Sequence, residues 1–193
     1  MALLIAGLIL FLGAHATRVF ADPWRTRMIE RLGELKWKGV VTVLSIAGLI
    51  LLIVGYDQAR MTTVLLWQPP LWTRHVALLL NLLAFILLAA AYVPRNSIKA
   101  KIGHPMIAGV KIWAFAHLIA NGTLADVVLF GAFLVWAVVD FRASRRRDRM
   151  NATVYPSGAM ANTLVTLVVG LGAGVAFMLW LHARWIGVSP LGM

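Results

Sequence analysis

Six long apolar runs constrain this chain more than any other feature. They cover roughly Ala2 to Phe20, Gly39 to Tyr56, Trp72 to Val93, Pro105 to Ala120, Leu124 to Phe141 and Ala161 to His182. A bilayer core of about 30 Å takes about 20 apolar helical residues at about 1.5 Å of rise each, so every run reaches or approaches a transmembrane length. Lipid offers the backbone no hydrogen-bond partner, so such a span must be helical. The sequence therefore predicts an all-α, polytopic membrane helix bundle of about six transmembrane helices, forming one membrane domain over residues 1–193. Composition agrees, with 61% hydrophobic and 13% charged residues against about 45–50% and about 25% in soluble domains. A freely soluble enzyme is excluded. Cysteine is absent, which removes disulfides, thiolate-held zinc or iron–sulfur centres and a cysteine nucleophile.

Charge placement sets the expected topology. The net charge is +11, from 18 Lys and Arg against 7 Asp and Glu. Arg25, Arg27, Arg31, Lys36 and Lys38 lie between runs one and two, with Arg18 at the edge. Arg95, Lys99 and Lys101 lie between runs three and four, and Arg142, Arg145, Arg146, Arg147 and Arg149 between five and six. The other loops and ends hold only Arg60, Arg74 and Arg184. Short cytoplasmic loops carry the basic excess, so the odd loops are expected in the cytoplasm and both termini on the outer, periplasmic side. Membrane lipid accounts for the basicity, and no nucleic-acid partner is expected. The first run lacks the basic leader and small-x-small site of a signal peptide and is read as a retained span. Trp24 to Lys38 mixes apolar and basic residues in the manner of a helix lying on the inner membrane surface.

Turn residues supply the boundaries. Gln68-Pro69-Pro70-Leu71 closes a loop before the third run, and Val93-Pro94 ends it, since proline cannot continue the helical ladder. Pro105 suits a first helical position. Asn121-Gly122 reads as a tight turn, and Thr123 with Asp126 as a capping box opening the fifth run. Gly170, Gly172 and Gly174 read as a small-residue packing stripe.

Ionisable groups at membrane depth are costly and often functional. They are His15, His75, His104, Lys111, His117 and His182, with Asn81 as a buried amide. His75, His104 and His182 fall near interfaces. Lys111 either snorkels to headgroups or meets an anion inside the bundle, such as a carboxylate on a bound cofactor. Deep imidazoles on separate spans, His15 and His117, either bond to neighbouring helices or ligate a metal. Bis-histidine haem is the sharper candidate, because helix bundles hold a flat apolar macrocycle between facing helices.

Several of these residues form a pattern. His15-x-x-Arg18, Gly33-Glu34, His104-Pro105, Lys111-x-Trp113-x-x-x-His117 and Asn121-Gly122 together resemble the NnrU family of bacterial membrane proteins. That family is similar to the plant and cyanobacterial 15-cis-zeta-carotene isomerase, a haem b membrane enzyme. The resemblance implies haem b held by His15 and His117, with Arg18, Lys111 and Trp113 as further cofactor contacts. It also implies a multi-pass protein of the bacterial inner (cytoplasmic) membrane. The isomerase has a cysteine implicated in ligand exchange where this chain has Ala114, so that thiolate switch does not carry over. On untilted helices His15 and His117 differ in depth by about 12 Å, and a pair drawn from His75, His117 and His182 matches better. Two functions are expected on this basis. One is redox-dependent isomerisation of a cis double bond in a carotenoid-like polyene, fed by a separate electron donor. The other is a non-catalytic haem sensor or accessory protein of nitrite and nitric oxide metabolism (denitrification).

Overall fold

A computed structural model describes residues 1–191, and helices dominate it. They are α1 (Ala2–Phe20), α2 (Asp22–Leu32), α3 (Glu34–Met61), α4 (Leu71–Tyr92), α5 (Ser97–Ile102), α6 (Pro105–Ala120), α7 (Leu124–Met150) and α8 (Met160–Ala176). A π-helical turn, Phe177–Leu181, then leads directly into α9 (His182–Ile186). Among the described residues, five helical stretches are long and apolar enough to cross a membrane, and α6 is a shorter apolar helix. The expected all-α membrane architecture is therefore present.

Contacts divide the chain into two compact units. Unit 1 is Met1–Trp67 with Gly122–Asp140, and unit 2 is Gln68–Asn121 with Phe141–Met193. In unit 1, α1 and α3 approach at backbone distance. A Cβ on Gly7 would lie 2.6 Å from the Leu52 nitrogen, and one on Gly48 2.7 Å from the Phe11 nitrogen. A Cβ on Gly55 would strike the Leu4 backbone. Lipid tails are as apolar as Leu, so helices in a bilayer gain by close packing rather than by expelling water, and glycine permits it. The unit-1 part of α7 adds Phe133, 5.8 Å from the Phe11 ring, and Phe130, 6.1 Å from Tyr56.

Unit 2 is built on α4. Gly109 of α6 faces the Ala84 carbonyl, where a Cβ would sit at 3.0 Å, and Gly170 of α8 faces the Ile86 Cα, where it would sit at 2.5 Å. Gly174 continues that contact against Leu82 and Phe85, whereas a Cβ on Gly172 meets nothing within 4 Å among the described residues. The stripe is thus Gly170 and Gly174, one helical turn apart, and Gly172 points elsewhere. At one end of the unit, buried Asn96 caps α5 by accepting from Lys99 N at 2.7 Å and donates to the Ala90 and Val93 carbonyls.

Three expectations are corrected. The stretch from Trp24 to Lys38 is two helices, because Gly33, at φ +83, breaks it in a conformation other residues rarely adopt. Helix α3 outlasts its apolar run at both ends, supported by Lys38–Glu34 at 2.8 Å and Arg60–Asp57 at 2.7 Å, which are pairs at helical spacing. Asn121-Gly122 is extended rather than a tight turn: the Gly122 carbonyl accepts from Leu66 N at 2.8 Å beside an isolated bridge between Leu65 and Thr123. The proline boundaries and the start of α6 at Pro105 stand as expected.

Candidate functional site

An imidazole in an apolar helix must place its N–H somewhere. Three histidines do so in the same way. His15 on α1 sets Nδ1 2.8 Å from the Phe11 carbonyl, and His117 on α6 sets Nδ1 2.8 Å from the Trp113 carbonyl, four residues back in each case. His182, at the start of α9, sets Nδ1 2.7 Å from the Val188 carbonyl. A carbonyl only accepts, so each Nδ1 carries the proton and Nε2 becomes the basic nitrogen. That brace fixes ring orientation and tautomer, as it does for metal-ligating histidines.

Their surroundings differ. In unit 1, the His15 ring lies 4.5 Å from Phe11 and 6.1 Å, edge-on, from Trp136. Trp136 Nε1 is buried without a hydrogen-bond partner among the described residues. Beside His15 is a cavity of about 560 Å³ lined by Arg18, Arg25, Trp37 and Lys38 among others. Arg18, three residues after His15 on the same helix, lines this cavity with it. In unit 2, His117 lies 5.1 Å from Trp113 and 6.5 Å from His182, with those two imidazole planes only 18° apart. Phe177 meets the His182 ring edge-on at 5.8 Å. Lys111 extends over the Phe141 ring, with Nζ 4.5 Å from its centre, a cation–π placement. Ala114, where the isomerase has its cysteine, is fully buried.

The other histidines are placed otherwise. His75 is exposed on α4. His104, capping α6, brings Nε2 to 2.9 Å from Asp148 Oδ2, and the Tyr155 hydroxyl donates to the same oxygen at 3.0 Å. Burial, and then the Asp148 carboxylate, push the Tyr155 phenol above its ordinary range, so it stays protonated and donates. Arg145 completes this cluster at 3.5 Å from Asp148. It ties the segment after α7 to the head of α6. Asn81 is half-buried and satisfied within its own helix, donating to Ala77 O at 2.8 Å. Asp126 forms the expected capping box with Thr123 and also accepts from Tyr56 OH at 2.6 Å, a partner 70 residues away that no local pattern reveals.

Among the described residues, no three His, Asp or Glu side chains gather as a metal-ion site. Braced single imidazoles suit a metal whose remaining ligands come from elsewhere, as in a porphyrin. The family model described as NnrU protein matches residues 3–190. This chain belongs to the NnrU family. No curated protein and no solved structure matches it.

Proposed function

We propose that this NnrU-family membrane protein binds haem b through histidine and uses it on a carotenoid-like polyene. What supports the reading is the shared brace at His15 and His117, each with Nδ1 2.8 Å from the carbonyl four residues back, which leaves Nε2 as the coordinating nitrogen. His117 would hold the haem iron, and the family resemblance proposes His15 as the second histidine to hold it. Arg18 and Lys111 are the cations proposed for the haem carboxylates, with Trp113 beside His117. When bound, haem would supply a redox-active iron able to interact with a cis double bond once a partner protein has delivered an electron. The chain itself orients the imidazoles and sets aromatic rings beside them, Phe11 and Trp136 at His15 and Trp113 at His117. In this proposal the protein lies in the bacterial cytoplasmic membrane, and its basic loops support an orientation with both termini outward.

The test is spectroscopic and then catalytic. Protein expressed with added haem precursor is expected to purify with a Soret band, and His117→Ala to lose the haem or its low-spin spectrum. Wild-type protein without a Soret band rejects the haem reading. Reduced holoprotein is then incubated with a cis polyene such as cis-zeta-carotene. A haem-loaded protein that leaves the isomer ratio unchanged favours the sensor or accessory role in nitrite and nitric oxide metabolism.

A further inference from the structure

A second imidazole stands beside His117 within the same unit. The rings of His117 and His182 are 6.5 Å apart, centre to centre, and nearly parallel at 18°. Parallel rings in face contact would be closer, since carbon contacts optimise at about 3.5–4.0 Å. Two imidazoles bound through nitrogen to one metal, at about 2.0–2.1 Å each, have centres roughly 6 Å apart. The observed separation lies beyond face contact and close to that spacing. Both rings are braced by a backbone carbonyl at Nδ1, at 2.8 Å for His117 and 2.7 Å for His182, which makes Nε2 the basic nitrogen on each.

The backbone ahead of His182 departs from regular helix. Phe177–Leu181 is π-helical, which adds a residue to the turn immediately before the histidine and resets the direction in which α9 leaves it. The brace on His182 comes from Val188, beyond the end of α9 at Gly187, which adopts the left-handed conformation at φ +77. The chain thus turns back after α9 to hold this one ring. Trp113 and Phe177 flank the pair with apolar rings.

We infer that His182 is an axial imidazole sharing the haem iron with His117, in the place that the family resemblance gives to His15. The inference rests on the haem reading above and names one ligand within it. Ferric holoprotein carrying His15→Ala, His182→Ala or His182→Met is compared with wild type by visible absorption, electron paramagnetic resonance and redox titration. His182→Ala is expected to turn six-coordinate low-spin iron into five-coordinate high-spin iron, and added imidazole to restore the low-spin spectrum. His15→Ala separates the two assignments: loss of the low-spin spectrum there, with the His182→Ala spectrum unchanged, gives the second ligand to His15 and overturns the inference. His182→Met keeps two axial ligands and raises the reduction potential, because thioether replaces imidazole. A His182→Ala spectrum and a His182→Met potential indistinguishable from wild type overturn the inference while leaving haem binding intact. Should His182→Ala retain no haem, the methionine variant decides between a lost ligand and a lost fold: an unshifted potential overturns the inference and a raised one supports it. Absence of haem from wild type is the separate failure of the reading beneath it.

Discussion

The two units solve the same packing problem differently. Unit 1 brings α1 and α3 together through glycines whose missing side chains admit the neighbouring backbone, at Gly7, Gly48 and Gly55. Unit 2 relies on alanines around α4, with Ala84, Ala90, Ala108 and Ala114 all buried, and on glycine where α6 and α8 meet that helix. Their histidines differ in step. Unit 1 holds one, His15, beside a cavity lined by Arg18, Arg25, Glu34 and Lys38 among others, whereas unit 2 holds four, two of them near-parallel among aromatic rings. Unit 1 therefore sets its histidine beside charged side chains of both signs, and unit 2 sets two of its four histidines among aromatic rings.

Gly55→Leu is expected to have the largest effect of the changes that sharpen this contrast. Its Cβ meets the Leu4 backbone, which cannot rotate away as a side chain can. Overpacking typically costs about 1–3 kcal/mol, and a backbone collision belongs at or beyond the upper end. Gly172→Leu in unit 2 points into open space and is expected to be neutral. Thermal unfolding of both variants in detergent checks the pair, and equal melting temperatures would refute the account of α1–α3 packing.

Asp126→Ala comes next. Asp126 is 5% exposed and serves both the Tyr56 hydroxyl and the Thr123 cap, so its removal leaves two half-buried donors without this acceptor. A cost of about 1–3 kcal/mol is expected. Its unit-2 counterpart, Asp148→Ala, removes a carboxylate whose side chain is 14% exposed and whose partners, His104 and Tyr155, have some access to water. That change is expected to cost about 0.5–1.5 kcal/mol. It should also speed protease cleavage between residues 151 and 159, which the Asp126 variant leaves unchanged. Limited proteolysis alongside unfolding separates the two.

How much of this was legible in the sequence depends on the range of each cause. Helix α1 begins and ends with its apolar run, and α6 begins at the expected proline, because apolarity and missing N–H groups act locally. The Thr123–Asp126 box was legible for the same reason. Helix α3 outran its apolar stretch because hydropathy reports depth in lipid, while helix length also depends on ion pairs such as Arg60–Asp57 beyond it. Gly33 hid within a pattern that reads as amphipathic on both sides. The neighbours His117 and His182 lie 65 residues apart in sequence, and no spacing rule joins them. The comparison of depths reached only a pair drawn from His75, His117 and His182, and a π-helical turn leaves no mark in hydropathy.

The smallest expected effects concern the two cations proposed for the haem carboxylates. Lys111→Met removes the charge held over Phe141, worth about 0.5–1 kcal/mol at an exposed site, while keeping most of the stem's volume. Stability should hardly change. If Lys111 also pairs with a haem carboxylate, the variant releases haem to an apoprotein acceptor faster than wild type, and equal release rates remove Lys111 from the site. Arg18→Gln makes the same measurement in unit 1, where the guanidinium lies at the cavity beside His15. Faster release from Arg18→Gln alone assigns the carboxylates to the cavity beside His15; faster release from Lys111→Met alone assigns them to the unit that holds the paired imidazoles. The two rates thus test each proposed cation by itself, independently of the histidine assignment.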